Sequence, residues 1–149
     1  MSLSNPTRDF LGDEPLWTAV RIELYDVQGL WGGRRIRVDG HRNAVVEVVA
    51  RTMLARRYEF QVEEDLLARL LEVMVEQDFV TIRPPERPGI PDEARPSITL
   101  VSPSGKAVTV AKWAGVREPR FAAAYRALLE IEALTAGLEP VSEARFARE

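Results

Sequence analysis

A chain of 149 residues is long enough to bury one ordinary hydrophobic core without metal or disulfide support, and too short for two domains of average size. It holds no cysteine and a single histidine, His41, which excludes disulfides, thiolate chemistry and any multi-histidine metal site within one chain. A net charge of −3, with 46% apolar and 29% charged residues, is that of an ordinary globular protein and gives no overall pull toward nucleic acid or an anionic membrane.

The opening stretch, "MSLSNPTRDFLGDEP", has neither the basic region nor the apolar region of a signal peptide. No apolar run approaches the roughly 20 residues that cross a bilayer. The expectation is a cytoplasmic protein without membrane contact. Arginine outnumbers lysine eighteen to two, and because arginine occurs on every segment the skew is attributed to codon composition.

From Trp17 to Gln28, Val20, Ile22 and Leu24 alternate with Arg21, Glu23 and Tyr25, a period of two that predicts a strand with one buried face. "GLWGG" supplies a turn, and Ile36 and Val38 in "RRIRV" alternate again, which predicts an antiparallel pair. "DGHRN" is a second turn. The β-branched stretch that follows divides into a strand from about Ala44 to Ala50 and another from about Ala55 to Gln61, with a single bent strand as the alternative because no glycine marks the corner.

Leu66, Leu67, Leu70, Leu71, Met74 and Val75 then form one helical stripe, with Glu63, Glu64 and Asp65 at the positive N-terminal end and a stop near Gln77 or Asp78. "FVTI" reads as a short extended piece. "SITLVS" and "KAVTVAK" flank "PSG" as a β-hairpin. Pro119 opens a last helix with Phe121, Ala124, Tyr125, Leu128 and Ile131 on its apolar face and Gly137 as its stop.

Together these elements predict an α+β fold: a mostly antiparallel sheet of about five or six strands with two helices packed on one face, in the order β-β-β(-β)-α-β-β-α. The domain spans 16–137, with an N-terminal arm over 1–15 and a C-terminal tail over 138–149; Phe10, Leu11 and Phe146 are apolar enough to dock either end. "RPPERPGIPDEARP", Arg83 to Pro96, holds five of the ten prolines. One hairpin and one helix after it cannot bury a core alone, so it is a loop within one domain rather than a hinge. Its "PERP" matches the spacing of polyproline ligands, and its length leaves a functional role open.

The run from about Gly29 to Ile131 resembles a family of small bacterial α+β domains of unknown function, whose members open with a Gly-Cys-aromatic-Gly-x-Cys-Pro segment followed by a strand and a "DG" turn. "GLWGGRRIRVDG" keeps Gly29, Trp31, Gly32 and the Asp39-Gly40 turn; further likenesses are Asp78-Phe79, Asp92 with Pro96, Gly105, and Trp113 with Gly115. Leu30 and Arg34 stand where that family carries its cysteines and Arg35 where it carries proline, so the resemblance implies the topology and no cysteine chemistry.

The glycines of "GLWGGRR" precede a strand, whereas phosphate-cradling loops precede a helix, so they read as a turn. Trp31, Arg34 and Trp113 are the candidate ligand-binding residues, because large aromatics beside arginine form a common binding combination. Between Trp31 and Arg57, seven arginines (Arg34, Arg35, Arg37, Arg42, Arg51, Arg56 and Arg57) face two carboxylates, a local balance of +5; Tyr58 to Asp78 balances to −6. A basic sheet face with Tyr58 and Phe60 as stacking platforms for a single strand competes with arginines paired to local carboxylates, and the acidity of the whole favours the second.

Glu72 and Glu76 lie one helical turn apart but have no histidine near them in sequence, and no nucleophile motif surrounds Ser102 or Ser104. No catalytic residue, metal site or cofactor is assigned. The leading expectation is a non-catalytic protein-interaction module that self-associates as a homodimer; the alternative is a small-ligand binder with a pocket near Trp31 and Trp113.

Overall fold

The computed structural model describes residues 4–147. Seven strands form one antiparallel sheet: β1 (Arg21–Gln28), β2 (Gly32–Asp39), β3 (Asn43–Val49), β4 (Leu54–Gln61), β5 (Ser97–Val101), β6 (Ala107–Ala111) and β7 (Ser142–Arg145). Their spatial order is β6-β5-β1-β2-β3-β4-β7. Three α-helices, α1 (Pro6–Leu11), α2 (Glu64–Glu76) and α3 (Pro119–Ala133), complete the α+β fold, joined by short 3₁₀ turns.

The period-two pattern decides which face is covered. Ile22 and Leu24 of β1, Ile36 and Val38 of β2, Ala44 and Val46 of β3, and Ile98 and Leu100 of β5 point to one side and are buried. There they meet Leu67, Leu70, Leu71, Met74 and Val75 of α2 and Phe121, Ala124, Leu128 and Ile131 of α3 in one core. The alternate residues form an open face. On it Arg37, Glu23, Arg35, Glu47, Arg57 and Glu59 make a zigzag of ion pairs at 3.0–3.9 Å. These pairs keep the face polar, and Arg35 is nearly enclosed among them with a side chain 7% exposed.

Several details correct the sequence expectation. The sheet has seven strands rather than five or six, because β7 forms within the expected C-terminal tail and pairs with β4. Trp17 to Ala19 belong to a 3₁₀ turn over Glu14–Ala19 and not to the first strand. "FVT" is likewise a 3₁₀ turn, entered through Asp78 with φ of 46°. Residues 44–61 form two strands; the corner is made without glycine because Met53 takes φ of 66°.

Both ends of the described chain dock. Leu11 of α1 is fully buried, and Thr7 Oγ1 donates to Asp78 Oδ1 at 2.8 Å, tying α1 to the end of α2. Phe146 lies on the open face with Val49 and Ala55, its ring 6.1 Å from that of Tyr25.

Candidate functional site

The β1–β2 turn, the β3–β4 turn, the start of β5 and the end of β6 all lie at one end of the sheet, as the pairing of Tyr25 with Ser97 and of Ser97 with Ala111 requires. Trp31 and Trp113 therefore share that end. Trp31 sits in the β1–β2 turn, half exposed, with the Arg51 guanidinium 4.9 Å from its ring centre. Trp113 follows β6 and is held between Gly89 and Arg95, whose guanidinium lies 5.2 Å from the ring centre.

Trp113 packs where it does because the 83–96 loop is pinned. Arg87 donates to both oxygens of Glu93, at 2.9 and 2.7 Å, and Glu93 also accepts from the backbone N–H groups of Gly115 at 2.7 Å and Ile90 at 3.2 Å. The Arg87 hydrogen bonds are the main reason the Glu93 carboxyl is held down at about 2, the two backbone donors adding to them. Gln28 Nε2 reaches the Asp92 carbonyl at 3.2 Å, and the Ala114 N–H reaches the Ala94 carbonyl at 2.9 Å. Only glycine fits at position 89, since a Cβ there would run into the Trp113 ring. The proline stretch is thus an ordered flap fastened to both β1 and the segment after β6.

At this same end the helix-covered face of the sheet carries charge. Asp26 follows Ile22 and Leu24 on the buried phase of β1, and Arg34 precedes Ile36 and Val38 on the buried phase of β2, directly across the hairpin. Arg34 Nε donates to Glu132 of α3 at 2.9 Å, and its Nη1 reaches Tyr125 Oη at 3.0 Å and Asp26 Oδ2 at 3.4 Å. The Tyr125 hydroxyl donates to Asp26 in a short hydrogen bond. Burial, reinforced by that bond to Asp26, pushes the Tyr125 phenol well above its ordinary range. Burial opposes the Arg34 charge, but the hydrogen bond to Glu132 and the neighbouring acidic groups outweigh it and raise its pKa further.

A cavity of about 290 Å³ opens against this cluster. Its walls are Asp26, Tyr125 and Phe121 on one side and Ala94 and Pro96 of the flap on the other, with Lys112 and Arg126 among its polar groups. Lys112 is already committed: its Nζ donates to the carbonyls of Trp113, Ala114 and Val116 at 3.3, 3.4 and 2.9 Å. Neither Trp31 nor Trp113 lines this cavity, whereas Arg34 supports two of its walls through Asp26 and Tyr125.

The other candidates fall elsewhere. His41 lies in the β2–β3 turn at the opposite end of the sheet, so it does not converge with Asp26. Ser102 and Ser104 bond each other at 2.8 Å and close the β5–β6 turn. Glu72 and Glu76 line a groove between α2 and α3, and among the described residues no three acidic or histidine side chains gather to hold a metal ion. Tyr58 and Phe60 sit on the helix-covered face, packed in or against the core, so they are not platforms on an open basic surface. Their phase in β4 follows from the pairing of Tyr58 with Val46.

The fold and this cluster define a single-sheet α+β domain with an open cavity at one end, walled in part by Ala94 and Pro96 of the proline stretch. Compared with protein-family models and with curated proteins, the chain matches none. No helix among the described residues is long and apolar enough to cross a membrane.

Proposed function

We propose that the protein is a small-molecule-binding domain whose site is the cavity between α3 and the 83–96 flap. One observation carries this: Asp26 and Tyr125, both bonded to Arg34 behind them, stand in the wall of a cavity whose lining is otherwise apolar except for Lys112 and Arg126. Pockets for small molecules combine an apolar lining with a few fixed polar groups, and this one holds its polar groups rigid through Glu132 and the pinned flap. Binding rather than catalysis fits the geometry, since the one histidine is at the far end of the sheet and Ser102 and Ser104 are spent in a turn.

The test is thermal unfolding against a panel of metabolites, for the wild type and for Ala122→Phe, which fills the cavity from α3. A ligand at 100 times its dissociation constant stabilises a fold by about 2.7 kcal/mol, roughly 5–10 °C for a chain of this length. A hit present in the wild type and lost in the variant supports the reading. A hit undiminished by Ala122→Phe, or no hit across the panel, removes it.

Self-association is a second reading, favoured by the exposed Leu30, Trp31 and Ile90 on the loops at this same end. The sheet edges are poor interfaces by comparison. The chain's only two lysines, Lys106 and Lys112, bracket β6, and β7 is four residues long with Glu143 and Arg145 in it. A molar mass in solution equal to one chain, at both low and high salt, would eliminate this reading.

A further inference from the structure

Resting on the cavity reading above, we propose that its ligand is a small planar acid, an apolar ring carrying one carboxylate, and that Arg126 is the anchor for the carboxylate. Of the polar groups in the lining, most are already engaged. Asp26 Oδ2 takes the Tyr125 hydroxyl and Arg34. The three ammonium hydrogens of Lys112 have three carbonyl acceptors. Arg126 is exposed and, among the described residues, has no hydrogen-bond or ion-pair partner. The unspent donors of the site are therefore those of a guanidinium, whose planar fork matches a carboxylate.

The rest of the ligand follows from the remaining walls. Ala94, Pro96, Ala114 and Ala122 are small, and the buried Phe121 lies in the lining with them, so the space suits a flat apolar body without hydrogen-bonding edges. At about 290 Å³ it is at the small end of the usual range of ligand pockets, which starts near 300 Å³, and takes a single ring with a short substituent. Lys112 adds positive charge beside Arg126 even with its hydrogens engaged, which favours an anion there. A second cavity, along the start of α3, shares Lys112, Ala122 and Arg126 with the first, so Arg126 lines both. The Asp26 carboxylate at the inner wall disfavours a ligand with a second negative group deeper in, such as a phosphate ester or a dicarboxylate.

The experiment is amide chemical-shift mapping of the full chain with three matched probes: benzoate, benzamide and benzylamine. We expect benzoate to move the amides of Ala94, Lys112, Ala114 and Ala122 with a dissociation constant on the order of 1 mM, as suits a nine-atom ligand. Benzamide and benzylamine should bind at least ~10-fold more weakly, and Arg126→Gln should weaken benzoate by a similar ~10-fold, the usual loss for one charge-assisted contact. The remaining amides of Arg126→Gln should keep their wild-type positions, which shows that the variant is folded. Equal binding of benzamide and benzoate, or wild-type benzoate affinity in Arg126→Gln, overturns the ligand class and leaves the cavity reading standing. No response of these amides to any of the three probes overturns both.

Discussion

Replacing Tyr125 with phenylalanine tests the cluster that shapes the site. The substitution keeps the ring and its contact with Phe121, 6.3 Å between centres, and deletes one oxygen. That oxygen donates to Asp26 and accepts from Arg34 Nη1 at 3.0 Å. Arg34 loses little, because its Nε keeps Glu132 at 2.9 Å and its Nη1 keeps Asp26 at 3.4 Å. Asp26 loses a donor outright in a place where its side chain is 16% exposed. A hydrogen bond to a charged group contributes about 1.5–3 kcal/mol, so Tyr125→Phe should cost about that much. For a chain near 150 residues each kcal/mol is worth about 2–4 °C, giving a fall in Tm of roughly 3–12 °C by circular dichroism. An unchanged Tm, within about 1 °C, would refute the claim that this hydroxyl is a structural member of the cavity wall.

The same cluster predicts a spectroscopic signature: of the three tyrosines, Tyr125 should stay protonated above the ordinary range near 10, whereas titration of all three together at 295 nm would contradict its burial against Asp26. Glu93, held at about 2, stabilises the folded flap above its unfolded pKa near 4.5, and that contribution is lost as the pH falls from about 4.5 to about 2. The Tm difference between wild type and Glu93→Gln should therefore be full at neutral pH, shrink steadily below about pH 4.5 and be largely gone at about pH 2; a constant difference across the window would show that ionisation of Glu93 is not the cause. Gly33 has φ of 143° and a Cβ there would strike the Asp26 carbonyl, so Gly33→Ala should destabilise by at least about 2 kcal/mol in urea unfolding, and a neutral result would contradict the strand geometry beside the site.

Much of the fold was legible because the apolar period is clean. Ile22 and Leu24, Ile36 and Val38, and the α2 stripe all lie on the core side, as their spacing requires. The seventh strand was not legible: "SEAR" has no apolar alternation, and β7 exists because β4 offers it an edge while Phe146 finds a pocket beside Val49 and Ala55. Met53 hid the β3–β4 corner by taking a positive φ that usually belongs to glycine.

The site was legible only in part. Trp31, Arg34 and Trp113 share one end of the sheet, but Trp31 is stacked under Arg51 in a turn and Trp113 is spent holding the flap. The informative signal was phase. Counting by twos from Ile22 puts Asp26 on the inner face, and counting back from Ile36 does the same for Arg34; two opposite charges on the inner phase of one hairpin mark a polar cluster inside the core side. What no local pattern gives is the third dimension: that α3 brings Tyr125 and Glu132 to that pair, and that Ala94 and Pro96 of the proline stretch wall the cavity beside it.

The most direct test of the central claim, that the cavity between α3 and the proline stretch is a binding site, is to diffuse a mixture of small ring-bearing metabolites into crystals of the protein and determine the structure. An ordered molecule is expected between Pro96 and Phe121, within hydrogen-bond reach of Arg126. Metabolites bound only on the open sheet face or at the Leu30–Trp31 turn, with this cavity empty, would contradict it.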